Sequence, residues 1–205
     1  MLRINCLVFA IVLAIRAIAS DGPELNLWIY YESLCPDSEA FIKNQLQPTM
    51  DVLGQYIHPI FIPFGKAHNV NEEYFVCQHG EPECRGNMMQ SCALYAMNNS
   101  SDKARLDYVT CEMVHKPGTI GLFDCVEQAG IDTNQVQDCI ASGLGLQLQL
   151  YYEKITDQLR PQFVPTVTVN GIFDQAFQDA AQDNLLGVLC QNQLKDVPEC
   201  AQYGR

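Results

Sequence analysis

Cysteine constrains this 205-residue chain more than any other residue type does. Ten are present, and the first, Cys6, falls in an N-terminal stretch, MLRINCLVFAIVLAIRAIAS, that reads as a secretory leader. Arg3 supplies the basic start, Cys6 to Ile15 the short apolar run, and Ala17-Ile18-Ala19 the small-residue cleavage pattern. Residues 1–19 are therefore expected to leave as a signal peptide, with 20–205 as a single domain. The run is short for a bilayer span, and no other segment is apolar enough, so membrane insertion is not expected. The other nine cysteines are Cys35, Cys77, Cys84, Cys92, Cys111, Cys125, Cys139, Cys190 and Cys200. On an exported chain that density means disulfides. Nine is odd, so one thiol is unpaired or bonded to another molecule.

Local pattern singles out Cys35 as the remainder. Leu25 to Tyr31, LNLWIYY, is a continuous apolar run with β-branched and aromatic members, the signature of a buried strand. Cys35-Pro36 follows, and Pro36 suits the first position of a helix, where its missing N–H costs nothing. Ile42, Leu46, Met50 and Leu53 continue at helical spacing, with Pro48 expected to kink or divide the helix. Ile57 to Phe64 reads as a second buried strand. A cysteine at such a helix start meets free N–H groups and the positive end of the dipole, both of which stabilise the thiolate that attacks disulfides. The bland alternative is that Cys35 joins a bridge and another cysteine is left over.

The middle, about 72–159, is expected to be helical and stapled, since six cysteines lie between Cys77 and Cys139. Met88 to Met97, Arg105 to His115 and Leu146 to Leu159 have helical apolar spacing. Val164 to Val169, then Asn170-Gly171, then Ile172-Phe173 predicts a β-hairpin. Pro165 at its start suits a cis peptide bond; a trans proline opening an edge strand is the alternative. Asn184 to Leu194 closes as a helix. The order βαβ, helical block, ββα is that of an α/β thioredoxin-like fold with a DsbA-like, disulfide-stapled helical insertion.

Position 38, where a Cys-x-x-Cys motif would keep its second thiol, is Ser38. Serine cannot resolve a mixed disulfide, although its hydroxyl offers a hydrogen bond to the Cys35 sulfur. Asp37 and Glu39 oppose a thiolate, because like charge beside the helix start disfavours it. Asn98-Asn99-Ser100-Ser101 holds two overlapping N-glycosylation sequons, at Asn98 and Asn99. A formal charge of −12 argues against nucleic acid and anionic lipid as partners. It reads first as a solvated surface.

The longest motif is Cys77-Gln78-His79-Gly80-Glu81-Pro82-Glu83-Cys84-Arg85-Gly86-Asn87, running on to Cys92. It resembles the signature of the gamma-interferon-inducible lysosomal thiol reductase (GILT) family, with every fixed position present. Ile62 to Ala67 and Val164-Pro165 through Gly171 resemble that family's strand-end and cis-proline segments. Cys35-Pro36-Asp37-Ser38 stands in place of its Cys-x-x-Cys. The resemblance implies reduction of protein disulfides in a lysosomal, endosomal or secreted setting. It makes Cys35 the nucleophile, Ser38 the replacement for the resolving cysteine, and Pro36, Val164 and Pro165 the substrate contacts. No bound cofactor is implied, and an external small thiol such as cysteine or glutathione is the expected reductant.

A zinc site at the Cys77–Cys92 cluster lacks the paired ligand spacing, so disulfides are expected there and no metal. Cys190 with Cys200 is the best local pair, Cys125 with Cys139 a plausible one, and the rest is open. His68, His79 and His115 read as surface or packing residues. Two functions compete. One is a monothiol reductase or isomerase acting on disulfide-containing proteins; the other is a secreted, catalytically weakened binding or host-defence protein using the same groove. Oligomeric state is not fixed by sequence.

Overall fold

The structure is a computed structural model that describes residues 24–203; the expected leader and Cys6 lie outside them. Its sheet has the order β2-β1-β5. Strand β1 (Leu25–Tyr31) is central, parallel to β2 (Ile57–Pro63) and antiparallel to β5 (Thr166–Val169). Flanked on both edges and covered on both faces, β1 can be apolar throughout. Leu25, Leu27, Ile29 and Tyr31 enter the main core. Tyr30 enters a smaller cluster with Ile62, Phe64, Ala67 and Cys77, and Trp28 packs against its edge.

Helix α1 (Pro36–Phe41) continues through a π-helical stretch, Ile42–Leu46, into α2 (Gln47–Leu53). Pro48 stands at the start of the second half, just past the wide turn that absorbs its missing N–H. The insert comprises α3 (Glu81–Ala96), α4 (Asp102–His115), α5 (Asp124–Gln128), α6 (Thr133–Ala141) and α7 (Leu144–Leu159), with a 3-10 turn at Pro117–Ile120. Helix α8 (Gln175–Gln191) follows β5, and a 3-10 turn, Pro198–Gln202, ends the described chain.

Three expectations need correction. The helical block does not begin near residue 72: β3 (His68–Val70) and β4 (Tyr74–Val76) form an antiparallel hairpin there. Second, the Asn170-Gly171 hairpin shrinks to a single bridge, Val169 to Ile172, so the sheet has three strands. Third, α8 begins well before Asn184, which instead marks a kink inside it. Asp174 caps that helix, accepting the Phe177 N–H at 2.7 Å.

Four disulfides join Cys77–Cys84, Cys92–Cys139, Cys111–Cys125 and Cys190–Cys200. The Cys125–Cys139 pairing is thus overturned. Cys125 on α5 faces α4 and Cys139 on α6 faces α3, so each bridge joins neighbouring helices and not the two short ones to each other. Asn98 and Asn99 lie exposed in the turn between α3 and α4.

Candidate active site at the strand–helix junction

Among the described residues Cys35 is the cysteine without a disulfide, and it is 5% exposed. It is the N-cap of α1, in extended conformation, and its sulfur accepts the backbone N–H of Ser38 at 3.4 Å. The sulfur thus occupies the place of a capping oxygen, aimed at the unsatisfied N–H groups of the helix start. On its other side the thiol lies 3.7 Å from the carbonyl oxygen of Val164. The Val164–Pro165 peptide bond is cis.

Ser38 reaches Cys35 through its backbone and not its side chain. Its hydroxyl is buried without a hydrogen-bond partner. Pro36 and Asp37 are exposed beside the sulfur. Glu39 is paired with Lys116, just past the end of α4, at 2.5 Å, which offsets part of its charge at the helix start.

The loop from β1 to α1 is held by the long cysteine motif. Asn87 accepts the Ser33 N–H at 2.9 Å, and the Ser33 hydroxyl donates to the Glu83 carbonyl at 2.9 Å. Glu32, fully buried, accepts the Lys66 N–H at 2.7 Å. The Gln78 amide, oriented to donate, is 3.1 and 3.2 Å from the two Glu32 oxygens. His79 bonds Glu83 at 2.5 Å through its ring and at 3.1 Å through its backbone N–H, and lies 3.8 Å from Glu32. Burial pushes the Glu32 carboxyl up to about 7, with Lys66 N–H and His79 pulling the other way and Glu83 adding to the rise.

Two glycines permit this closeness. Gly65 has φ +61°, and a Cβ there would sit 2.2 Å from Glu32 Cγ. A Cβ on Gly86 would meet the Ser33 hydroxyl at 2.5 Å.

Glu32, His79 and Glu83 each offer one metal-ligating atom, all within 4.8 Å of one another. Their hydrogen bonds already account for those atoms, and the motif's cysteines are tied in bridges. Taken singly, His79 reads as a surface or packing residue; Glu83 and Asn87 are marked only by their fixed places in the motif, and Glu32, outside the motif, carries no such mark. Nor does Gln178. That residue accepts the Val167 N–H at 2.8 Å and donates to the Pro165 carbonyl at 3.1 Å, so α8 fixes the loop facing Cys35.

A three-stranded sheet, a cysteine capping the first helix and a cis-proline loop opposite it define a thioredoxin-like scaffold of the DsbA type. Reduced DsbA from Mycobacterium tuberculosis superposes with a TM-score of 0.56 at 14% identity, covering 91% of each chain. The profile of the gamma interferon inducible lysosomal thiol reductase (GILT) family matches residues 26–142. A gamma-interferon-inducible lysosomal thiol reductase-like protein of Anopheles gambiae is 32% identical over 207 residues, 93% of this chain and 86% of that one. The gamma-interferon-inducible lysosomal thiol reductase of Carassius auratus is 30% identical over 191 residues, 90% of this chain and 74% of that one. The chain belongs to the GILT family. Four disulfides fit folding in an oxidising compartment. No described helix is long and apolar enough to cross a membrane.

Proposed function

We propose that this chain reduces or rearranges protein disulfides through a single thiol, Cys35, in the secretory or endosomal–lysosomal route. The observation that carries the reading is the placement of the one cysteine unbridged among the described residues at a helix N-terminus, beside the carbonyl that precedes a cis-proline. The Cys35 thiolate attacks one sulfur of a substrate disulfide. A mixed disulfide forms, and the other substrate sulfur leaves as a thiolate and takes up a proton. A small thiol such as cysteine or glutathione then attacks Cys35 Sγ and releases the reduced substrate. A second small thiol frees Cys35, so two thiols become one small disulfide for each protein disulfide reduced. Alternatively the substrate's own freed thiol attacks, and the disulfide is rearranged.

Ser38 leaves the chain without an internal resolving thiol, so turnover depends on that external thiol. Pro36, Val164 and Pro165 line the path of the substrate peptide, with the Val164 backbone as its hydrogen-bonding partner. The sequon turn at Asn98 and Asn99 carries a glycan.

The test is a disulfide-bonded protein substrate with excess small thiol at pH 5 and pH 7. The wild type accelerates reduction, Cys35→Ala falls to background, and Ser38→Cys makes release independent of the external thiol. A wild type no faster than Cys35→Ala removes the enzyme reading. The buried, unpartnered Ser38 hydroxyl favours a second reading, a binding protein that keeps the groove and has lost turnover. Partner binding that survives Cys35→Ala unchanged would then take precedence.

A further inference from the structure

A cavity of about 410 Å³ opens between the first helix, the cis-proline loop and α8, with Val164, whose carbonyl oxygen is 3.7 Å from the Cys35 sulfur, in its lining. Asp37 and Asn44 line it from the first helix, Phe163 and Pro165 from the loop, and Asp179 and Gln182 from α8. None of its lining residues is basic. Asp37 and Asp179 are exposed, and among the described residues the one side-chain hydrogen bond to Asp179 is from Gln175, at 2.7 Å. The Gln182 amide nitrogen is shielded from solvent and has no partner. A substrate half-cystine on Cys35 must lie against Val164, 3.7 Å away, so its neighbouring residues pass directly over this opening.

We infer that this cavity is a specificity subsite for a cationic side chain, Lys or Arg, next to the attacked half-cystine of the substrate. Asp37 and Asp179 supply the complementary charge, and the Phe163 ring lies along the aliphatic stem. The inference rests on Cys35 being the attacking thiol, and it names the substrate class of that same site.

The experiment measures covalent capture and needs no turnover. Two cysteine peptides are used, identical except for Lys or Glu on both sides of the cysteine, each activated as a mixed disulfide with an aromatic thiol. Cys35 attacks the peptide sulfur, the aromatic thiolate leaves, and the adduct is followed by mass. Rates are divided by those of free cysteine with the same peptides, which removes intrinsic reactivity.

The Lys peptide is expected to react roughly fivefold faster than the Glu peptide, a preference that shrinks with added salt. Asp179→Lys should abolish or invert it. Asp138→Lys, on an exposed position of α6 outside the cavity, changes net charge equally and should leave it nearly intact. Equal capture of both peptides, or an equal response to Asp138→Lys, overturns the subsite and leaves the thiol chemistry standing. Capture of neither peptide overturns the reading of Cys35 and the subsite together.

Discussion

The two ends of α3 are buried in different media. At its N-terminal end Glu83 and Asn87 meet Ser33, with Glu32 alongside, through hydrogen bonds, and two glycines let the backbones close up. Further along, Met89, Cys92 and Ala93, with Met97 just past the helix end, lie in the main apolar core. A disulfide secures each end, Cys77–Cys84 in front and Cys92–Cys139 behind. Apolar packing is non-directional and tolerates small shifts, whereas hydrogen bonds fix a loop at defined distances. The rear of α3 therefore supplies stability, and the front supplies the position of the chain that carries Cys35.

Removing each bridge separates the two roles. The Cys92–Cys139 bridge closes a separation of 47 residues, and its loss costs about 4 kcal/mol on loop entropy. The Cys77–Cys84 bridge closes 7 residues, and its loss costs about 2 kcal/mol. Denaturant midpoints for the two double alanine variants should fall in that order. Capture of an activated disulfide by Cys35 should fall in the opposite order, because only the front bridge carries Gln78, His79 and Glu83. Rates that track stability alone would erase the distinction between the two ends.

A second contrast sets Glu32 against Glu112. Both are buried, and burial pushes each carboxyl up to about 7. Glu112 on α4 accepts the Gly118 N–H at 3.1 Å, and its other oxygen has no partner. In the unfolded chain each carboxyl releases its proton near 4.5, but in the folded chain each keeps it to about 7. The folded state binds more protons between those values, so stability falls as pH rises through that window. The loss is roughly 3 kcal/mol per group. Glu32→Gln and Glu112→Gln should each flatten the decline seen by denaturation at pH 4.5, 6 and 7.5. Only Glu32→Gln should also alter the pH profile of Cys35 capture, since only Glu32 lies in the loop before the sulfur. A wild-type midpoint that climbs from pH 5 to pH 7 would sink the account.

The sequence made the frame legible and left the loop's anchoring hidden. Strand β1, the helix start at Pro36 and the strand β5 announce themselves locally, through apolar runs and proline. The apolar second half of helix α8 carries its periodic signal, whereas its polar first turns and the Asp174 cap set the true start. The β3–β4 hairpin has three-residue strands with no fully buried position, too short for an alternating pattern to register. Cysteine spacing cannot tell Cys125–Cys139 from Cys111–Cys125, because both pairs are separated by 14 residues. Glu32 and His79 are 47 residues apart, and no local period joins a buried acid to a distant histidine. The motif marks His79 and not Glu32, and their contact appears only when the loop after β1 and the start of α3 are brought together.

The weakest contrast is between the two tethers on either side of Cys35. Before it, Ser33 N–H donates to Asn87, both residues fully buried. After it, Glu39 pairs with Lys116, with side chains 27% and 33% exposed. Asn87→Ala leaves a buried N–H without a partner and should cost about 2 kcal/mol. Lys116→Met breaks a partly solvated ion pair and should cost below about 1 kcal/mol, less still in salt. Their effects on chemistry should differ in kind. Asn87→Ala loosens the loop and slows Cys35 capture at every pH. Lys116→Met leaves Glu39 uncompensated at the helix start, so its slowing should shrink with added salt and be reversed by Glu39→Gln. A slowing that neither salt nor Glu39→Gln relieves would mean that Lys116 acts on α1 through packing and not through charge.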